Sequence, residues 1–169
     1  SMIARDIALS LDTGARVLFQ HVSSGQSAAL IRAGKALGAK IYAEVTPHHL
    51  SLTEDDVPAH GTYARMNPPL RREADRQALI EALADGTIDM IATDHAPHTA
   101  EEKARDFAKA PSGITGLETA FSVCNTYLVK TGRLTPMQLL EKMSKNPAEV
   151  YGLTGRAVRE GNYARLVLL

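Results

Sequence analysis

The segment Ile91-Ala92-Thr93-Asp94-His95-Ala96-Pro97-His98 places a carboxylate and two imidazoles at the end of a short apolar run. Carboxylate oxygen and imidazole nitrogen are ligand types for zinc and similar divalent metals, and either group can carry a proton. Pro97 stops an immediate helix, so the run reads as a buried strand that empties into a loop. An acid and imidazoles at the C-terminal end of such a strand suit a metal-assisted site in a barrel-type α/β enzyme. His21 closes a second apolar run, Val17-Leu18-Phe19-Gln20-His21. Two strand ends with ligand-type residues are far rarer by accident than one. The bland alternatives are a hydrogen-bonded structural His and an Asp that forms a turn or cap.

Other candidates surround these. Thr46-Pro47-His48-His49 closes a further apolar run in the corresponding place, and adjacent His side chains point in different directions. At most one of the pair is expected to face a site; the alternatives for both are support of that site or loop packing. His60, beside Gly61, reads as solvated. In Arg65-Met66-Asn67-Pro68-Pro69-Leu70-Arg71-Arg72, Asn67 can both donate to and accept from an amide ring, and an Arg can clamp a carboxylate. A proline-stiffened turn explains Arg72 easily and Asn67 less well. Pro111-Ser112-Gly113-Ile114-Thr115-Gly116 offers free backbone amides near a helix start, a weak signal for an anionic or carbonyl group.

The elements that must position these residues alternate strand and helix. A helix over 3–11 stops at Asp12-Thr13-Gly14, and strands are expected over 17–22, 41–45 and 88–93. Between them, Ser23 or Ser24 caps a helix with Ala28, Ile31 and Leu37 near one face and Gly38 at its end. A long loop over 46–72 precedes a helix over 73–84 with Ala78, Leu79, Ala82 and Leu83 inward. The stretch 99–112 reads as a polar, mobile loop, with a helical turn in part of it as the alternative. A helix over 116–130 carries Leu117, Ala120, Phe121, Cys124 and Leu128 on one side. Thr135-Pro136 opens a helix to Met143, and Asn146-Pro147 opens the last one to Tyr151. This alternation implies an α/β fold of parallel strands with right-handed crossover helices. Three such strands cannot close a barrel and leave two raw edges.

The 169 residues, 44% hydrophobic, suit one soluble globular domain, and 19 basic against 19 acidic side chains point to neither nucleic acid nor an anionic membrane. A single cysteine, Cys124, excludes an internal disulfide and a Cys-based zinc cluster, and its helical apolar setting makes it a buried thiol. With no apolar stretch of membrane-spanning length and no signal-peptide pattern, a cytoplasmic location is expected. Ser1-Met2 resembles a cloning scar, and the apolar ending Leu166-Val167-Leu168-Leu169 reads as a strand about to continue, so a piece of a longer protein is expected.

Taken together, the segments resemble the bacterial-type dihydroorotases of the amidohydrolase superfamily. The resemblance runs through His21-Val22-Ser23-Ser24, Glu44-Val45-Thr46-Pro47-His48-His49-Leu50, Met66-Asn67-Pro68-Pro69-Leu70-Arg71, Thr93-Asp94-His95-Ala96-Pro97-His98, Gly113-Ile114-Thr115-Gly116-Leu117-Glu118-Thr119 and Asn146-Pro147-Ala148. It implies a TIM (β/α)8 barrel of which residues 1–163 supply the last three βα units, with 164–169 starting the return to a small β-sandwich. It implies His21 and Asp94 as metal ligands, one or two zinc ions in a full-length enzyme, and Asp94 as the catalytic general base and acid. Asn67, His98 and the backbone around Ser112 and Gly113 are implied as substrate contacts, Ser112 standing where the family commonly has a bulkier residue. The implied reaction is reversible hydrolysis of the cyclic amide of dihydroorotate to carbamoyl aspartate, in pyrimidine biosynthesis.

The resemblance also marks what this stretch lacks: the family's His-x-His pair, a bridging carboxylate or carboxylated lysine, and a further His. Ala164-Arg165-Leu166-Val167 departs from the family's usual Ala-Asp-Leu-Val. Weak or absent activity is therefore expected of the isolated chain, with its metal occupancy left open. Two other readings stand beside this one: a hydantoinase- or allantoinase-like cyclic amidohydrolase, and a non-catalytic homologue scaffolding aspartate carbamoyltransferase. A homo-oligomer remains open.

Overall fold

The computed structural model describes residues 2–153, 160–163 and 167. Helix α1 (Met2–Thr13) leads through Gly14, at φ 72°, to strand β1 (Val17–Phe19). Helix α2 (Gly25–Ala36) starts where the Ser24 hydroxyl accepts from the Ser27 amide at 3.2 Å, satisfying one of the donors a helix start leaves open. Strand β2 occupies Ile41–Val45, with the boundaries expected from its apolar run.

The proline-rich stretch that follows is built of short helical turns. Helix α3 (Pro47–Ser51) has Thr46 as its cap and Pro47 in its first turn; α4 covers Val57–His60, and 3-10 turns cover Glu54–Asp56 and Gly61–Ala64. An unbroken loop over 46–72 is therefore replaced by local helix, because a capping Thr followed by Pro is a start signal. The longer helix α5 (Glu73–Ala84) leads to strand β3, which is only Met90–Ile91. Helix α6 (Ala100–Lys103) opens with a reciprocal Thr99–Glu102 cap inside the stretch expected to be mobile.

Helix α7 (Ala120–Cys124) continues as a π-turn over Asn125–Val129. Helix α8 (Pro136–Leu140), capped by Thr135, runs through another π-turn, Glu141–Lys145, into α9 (Asn146–Val150). The expected return segment at 164–169 lies outside the described residues, except that Val167 is exposed.

The three strands form one parallel sheet in the order β1-β2-β3. Val17 pairs with Ile41 and Phe19 with Ala43; Glu44 pairs with Met90 and Val45 with Ile91. Backbone bonds from Val22 to Glu44 (2.8 Å) and from Ala92 to Val45 (3.0 Å) carry the alignment past the strand ends. The C-terminal ends of β1 and β3 therefore flank that of β2 at one rim.

Helices α2 and α5 pack on each other and, with Leu128 and Leu139 from the later helices, bury Ile31, Leu79, Leu83, Val45 and Ile88 in one core. Gly34 permits a close approach there: a Cβ would meet Ile41 and Ile7 at 2.9 Å. Two apolar residues expected inward are exposed instead. Leu37 lies one residue past α2 as its C-cap, and Leu117 precedes the first turn of α7. No helix among the described residues is long and apolar enough to cross a membrane.

Candidate active site at the C-terminal rim

His21 and Asp94 are the only non-glycine residues with positive φ among the described residues, at 38° and 49°. A side chain in the left-handed region costs roughly 1–3 kcal/mol and persists where the surroundings impose it, a pattern that clusters at functional sites. His21 stands just beyond β1 and Asp94 just beyond β3, on opposite flanks of β2. Their strands are two inter-strand spacings apart, about 10 Å.

Between them lies Glu44, in β2, a buried carboxyl that sequence reasoning assigned no role. Burial raises its pKa above the usual carboxylate range. The His21 backbone amide and imidazole oppose that shift, and the Asp94 charge adds to it. These interactions bring His21, Glu44 and Asp94 into one electrostatic environment. The available signal was an acidic residue inside an otherwise apolar strand.

Polar capacity at this rim is left unspent. The buried Nδ1 of His21 has no hydrogen-bond partner among the described residues, nor has the buried Nε2 of His48. Asp94 is exposed, and its carboxylate takes no hydrogen bond from the described residues. His48 and His49 are both buried, so neither is a loose loop residue. Burial, with the His49 and His21 rings adding to it, pushes the His48 pKa down to about 3. The His49 ring is fully used: Nε2 donates to the Pro68 carbonyl at 3.0 Å, and Nδ1 accepts from the Thr46 hydroxyl at 2.7 Å. Burial also lowers its pKa, so both rings are neutral.

The residues expected to touch a substrate divide between two clefts, and Gly113 lines neither. Arg65, Asn67, Phe107 and Ser112 line a cleft of about 430 Å³. His98 lines a neighbouring cleft of about 530 Å³ with Tyr63, Lys103 and Thr115, and its Nε2 donates to the Ser112 carbonyl at 3.0 Å. Gly113, at φ 109°, is required where it stands: a Cβ would lie 2.5 Å from that of Ala96.

Two amides of the glycine segment expected to be open are already committed. The Gly113 amide donates to the Arg65 carbonyl at 2.9 Å, and those of Gly116 and Leu117 donate to His95 Nδ1 at 3.0 and 3.4 Å. His95 is thereby committed to holding the chain before α7. His60 is exposed, as expected, and lies on the rim of the larger cleft.

Among the described residues no three His, Cys, Asp or Glu side chains are grouped closely enough to hold a metal ion. The donor types at His21 and Asp94 fit zinc, and the orphaned His21 nitrogen fits a ring with bonding capacity in reserve. Their number falls short of the four ligands usual for zinc.

Parallel strands with ligand-type residues at their C-terminal ends fit an α/β enzyme with its site at that rim, and residues 11–169 match the amidohydrolase family. The chain belongs to that family. Over 167 residues it is 55% identical to a dihydroorotase of Clostridioides difficile (strain 630), a match spanning 99% of this chain and 40% of the relative. A dihydroorotase of Clostridium acetobutylicum is 51% identical over 99% of the chain and 39% of its own length. Among solved structures, the L-hydantoinase (dihydropyrimidinase) from Arthrobacter aurescens superposes with a TM-score of 0.84 at 34% identity, over 89% of this chain and 34% of that one. The chain thus spans about 40% of the length of the curated relatives it matches.

Proposed function

We propose that this chain is part of a dihydroorotase, supplying the last three βα units of a (β/α)8 barrel and part of its active site. The observation that carries the reading is the pairing of His21 and Asp94 in strained backbone at one rim, on either side of buried Glu44. The higher identity to dihydroorotases than to the superposed hydantoinase favours dihydroorotate over hydantoin as substrate.

In this reading His21 and Asp94 would hold a zinc ion, which when bound polarises the ring carbonyl and lowers the pKa of water. Asn67 and the backbone at Ser112 touch the ring, while His98 and Gly113, bonded to the Ser112 and Arg65 carbonyls, hold that backbone in place. The exposed Asp94 carboxylate accepts a proton from the water that attacks the carbonyl carbon. It then delivers that proton to the amide nitrogen as the C–N bond breaks. Water is added across one bond, giving carbamoyl aspartate; the reverse sequence closes the ring.

Two ligands cannot hold a binuclear centre, so the isolated chain is weakly active or inactive. The experiment is a chimera in which this chain replaces the 167 aligned residues of the Clostridioides difficile enzyme. It should turn over dihydroorotate in preference to hydantoin and allantoin. Preference for hydantoin would transfer the assignment to a hydantoinase. Stoichiometric zinc and ring opening by the 169-residue chain alone would refute its incompleteness.

A further inference from the structure

Lys103 is the only buried lysine or arginine among the described residues, 3% exposed at the end of α6. It has no carboxylate partner among them. An ammonium removed from water without an acid is costly unless dipoles replace its hydration. Here two carbonyls do so: Nζ donates to Thr62 at 3.2 Å and to Pro111 at 3.0 Å. The contact is returned, since the Thr62 hydroxyl donates to the Lys103 carbonyl. A point charge with three donors on a flexible stem suits joining two separate carbonyls.

The two segments joined in this way both contribute to the smaller cleft. Thr62 shortly precedes Arg65 and Asn67, and Pro111 directly precedes Ser112; Arg65, Asn67 and Ser112 are all lining residues. Arg65 and Gly113 then meet through a backbone bond at 2.9 Å, and the Ser112 carbonyl receives His98. The reciprocal cap of α6 begins at Thr99, directly after His98, so the same short helix carries the clamp at one end and follows a residue of the larger cleft at the other.

We propose that Lys103 is a positioning residue, setting the spacing between the Asn67 and Ser112 sides of the smaller cleft and thereby the affinity for substrate rather than the proton transfer at Asp94. This rests on the reading of those sides as substrate contacts.

In the chimera, Lys103→Met keeps the apolar stem and removes the clamp. It should raise KM for dihydroorotate about tenfold or more, the worth of one to two lost hydrogen bonds. The kcat should stay within about threefold, the signature of lost uniform binding. Lys103→Gln, neutral but still a donor, should recover part of the KM loss. Unchanged KM in Lys103→Met, or an equal fall in kcat with no recovery by Gln, would overturn the inference while leaving the wild-type activity as it is. Should the wild-type chimera ignore dihydroorotate, the functional reading fails and amide hydrogen exchange in this chain decides the clamp. Faster exchange at Gly113 in Lys103→Met supports it; equal rates reject it.

Discussion

The two ends of the three-stranded sheet treat their polar groups in opposite ways. At the N-terminal end the groups around the start of β3 are committed. Asp89, just before β3, accepts from Lys35 at 2.7 and 2.8 Å and from the Ala43 amide at 2.8 Å. Its carbonyl accepts from Asn146 at 2.7 Å, and Lys142 donates to the Ile88 carbonyl at 3.1 Å. At the C-terminal end, His21 and Asp94 occupy strained backbone, two buried ring nitrogens lack a hydrogen-bond partner among the described residues, and a buried Glu44 is held above its usual pKa. One sheet thus has a satisfied end and an unsatisfied one. Groups left with bonding capacity in reserve are the groups available to a ligand.

Exchanging single carboxylates between the two ends breaks this comparison most directly. In the chimera, Asp94→Asn should lower kcat by about a hundredfold to ten-thousandfold, the range for a lost acid–base group. The melting temperature should hardly move, since Asn tolerates positive φ and no described hydrogen bond is lost. Near-normal turnover would remove Asp94 from the mechanism. At the other end, Asp89→Ala should leave kcat intact and cost about 1–3 kcal/mol of stability by urea denaturation. Solvent around the part-exposed Lys35 pair holds the loss toward the lower figure. A kcat defect there with unchanged stability would reverse the roles assigned to the two ends.

The sequence made some of this contrast readable because strand ends are marked by composition. Strand β2 emerged with its boundaries intact, and His21 and Asp94 stood out as polar residues closing apolar runs. What stayed hidden depends on partners distant in the chain. Leu117 fits a helical spacing with Ala120 and Cys124, yet its amide and that of Gly116 are drawn to His95, so the helix starts later and Leu117 faces solvent. Leu37 belongs to the α2 pattern but falls after the last helical residue. Lys103 falls in the stretch that reads as a polar, mobile loop; the approach of Thr62 and Pro111 buries it. Short β1 and β3 reflect the same limit: apolar runs mark where strands pass, while the parallel ladder ends where neighbours stop pairing.

A smaller effect sharpens the contrast through pH. The His48 imidazole, ordinarily near 6.5, resists protonation in the folded chain until about 3. Between those values the unfolded chain binds a proton that the folded one does not. Stability is therefore lost as pH falls through that window, by at most about 1.4 kcal/mol per pH unit. Urea midpoints at neutral and mildly acidic pH should drop less for His48→Gln than for the wild type. Identical slopes would mean that the orphaned nitrogen finds a partner.

The smallest expected change concerns the core beneath both ends, where Cys124 on α7 packs with Leu128, Leu134 and Leu139. Burial pushes its thiol up to about 12, and 1% of the residue is exposed. A thiol that stays protonated at neutral pH lacks the thiolate that attacks alkylating agents, and a closed core excludes the reagent as well. Iodoacetamide should leave the folded chain unmodified and label one site after denaturation in urea, read by intact mass. Labelling of the folded chain at a rate near that of a free thiol would show the core opening readily. The unsatisfied groups at the C-terminal rim would then belong to a loosely packed body, and the argument from their strain and burial would lose its footing. Protection of Cys124 instead makes the rim's unspent valences a property of a rigid scaffold, the condition under which strained backbone at His21 and Asp94 can hold ligand-type side chains in place.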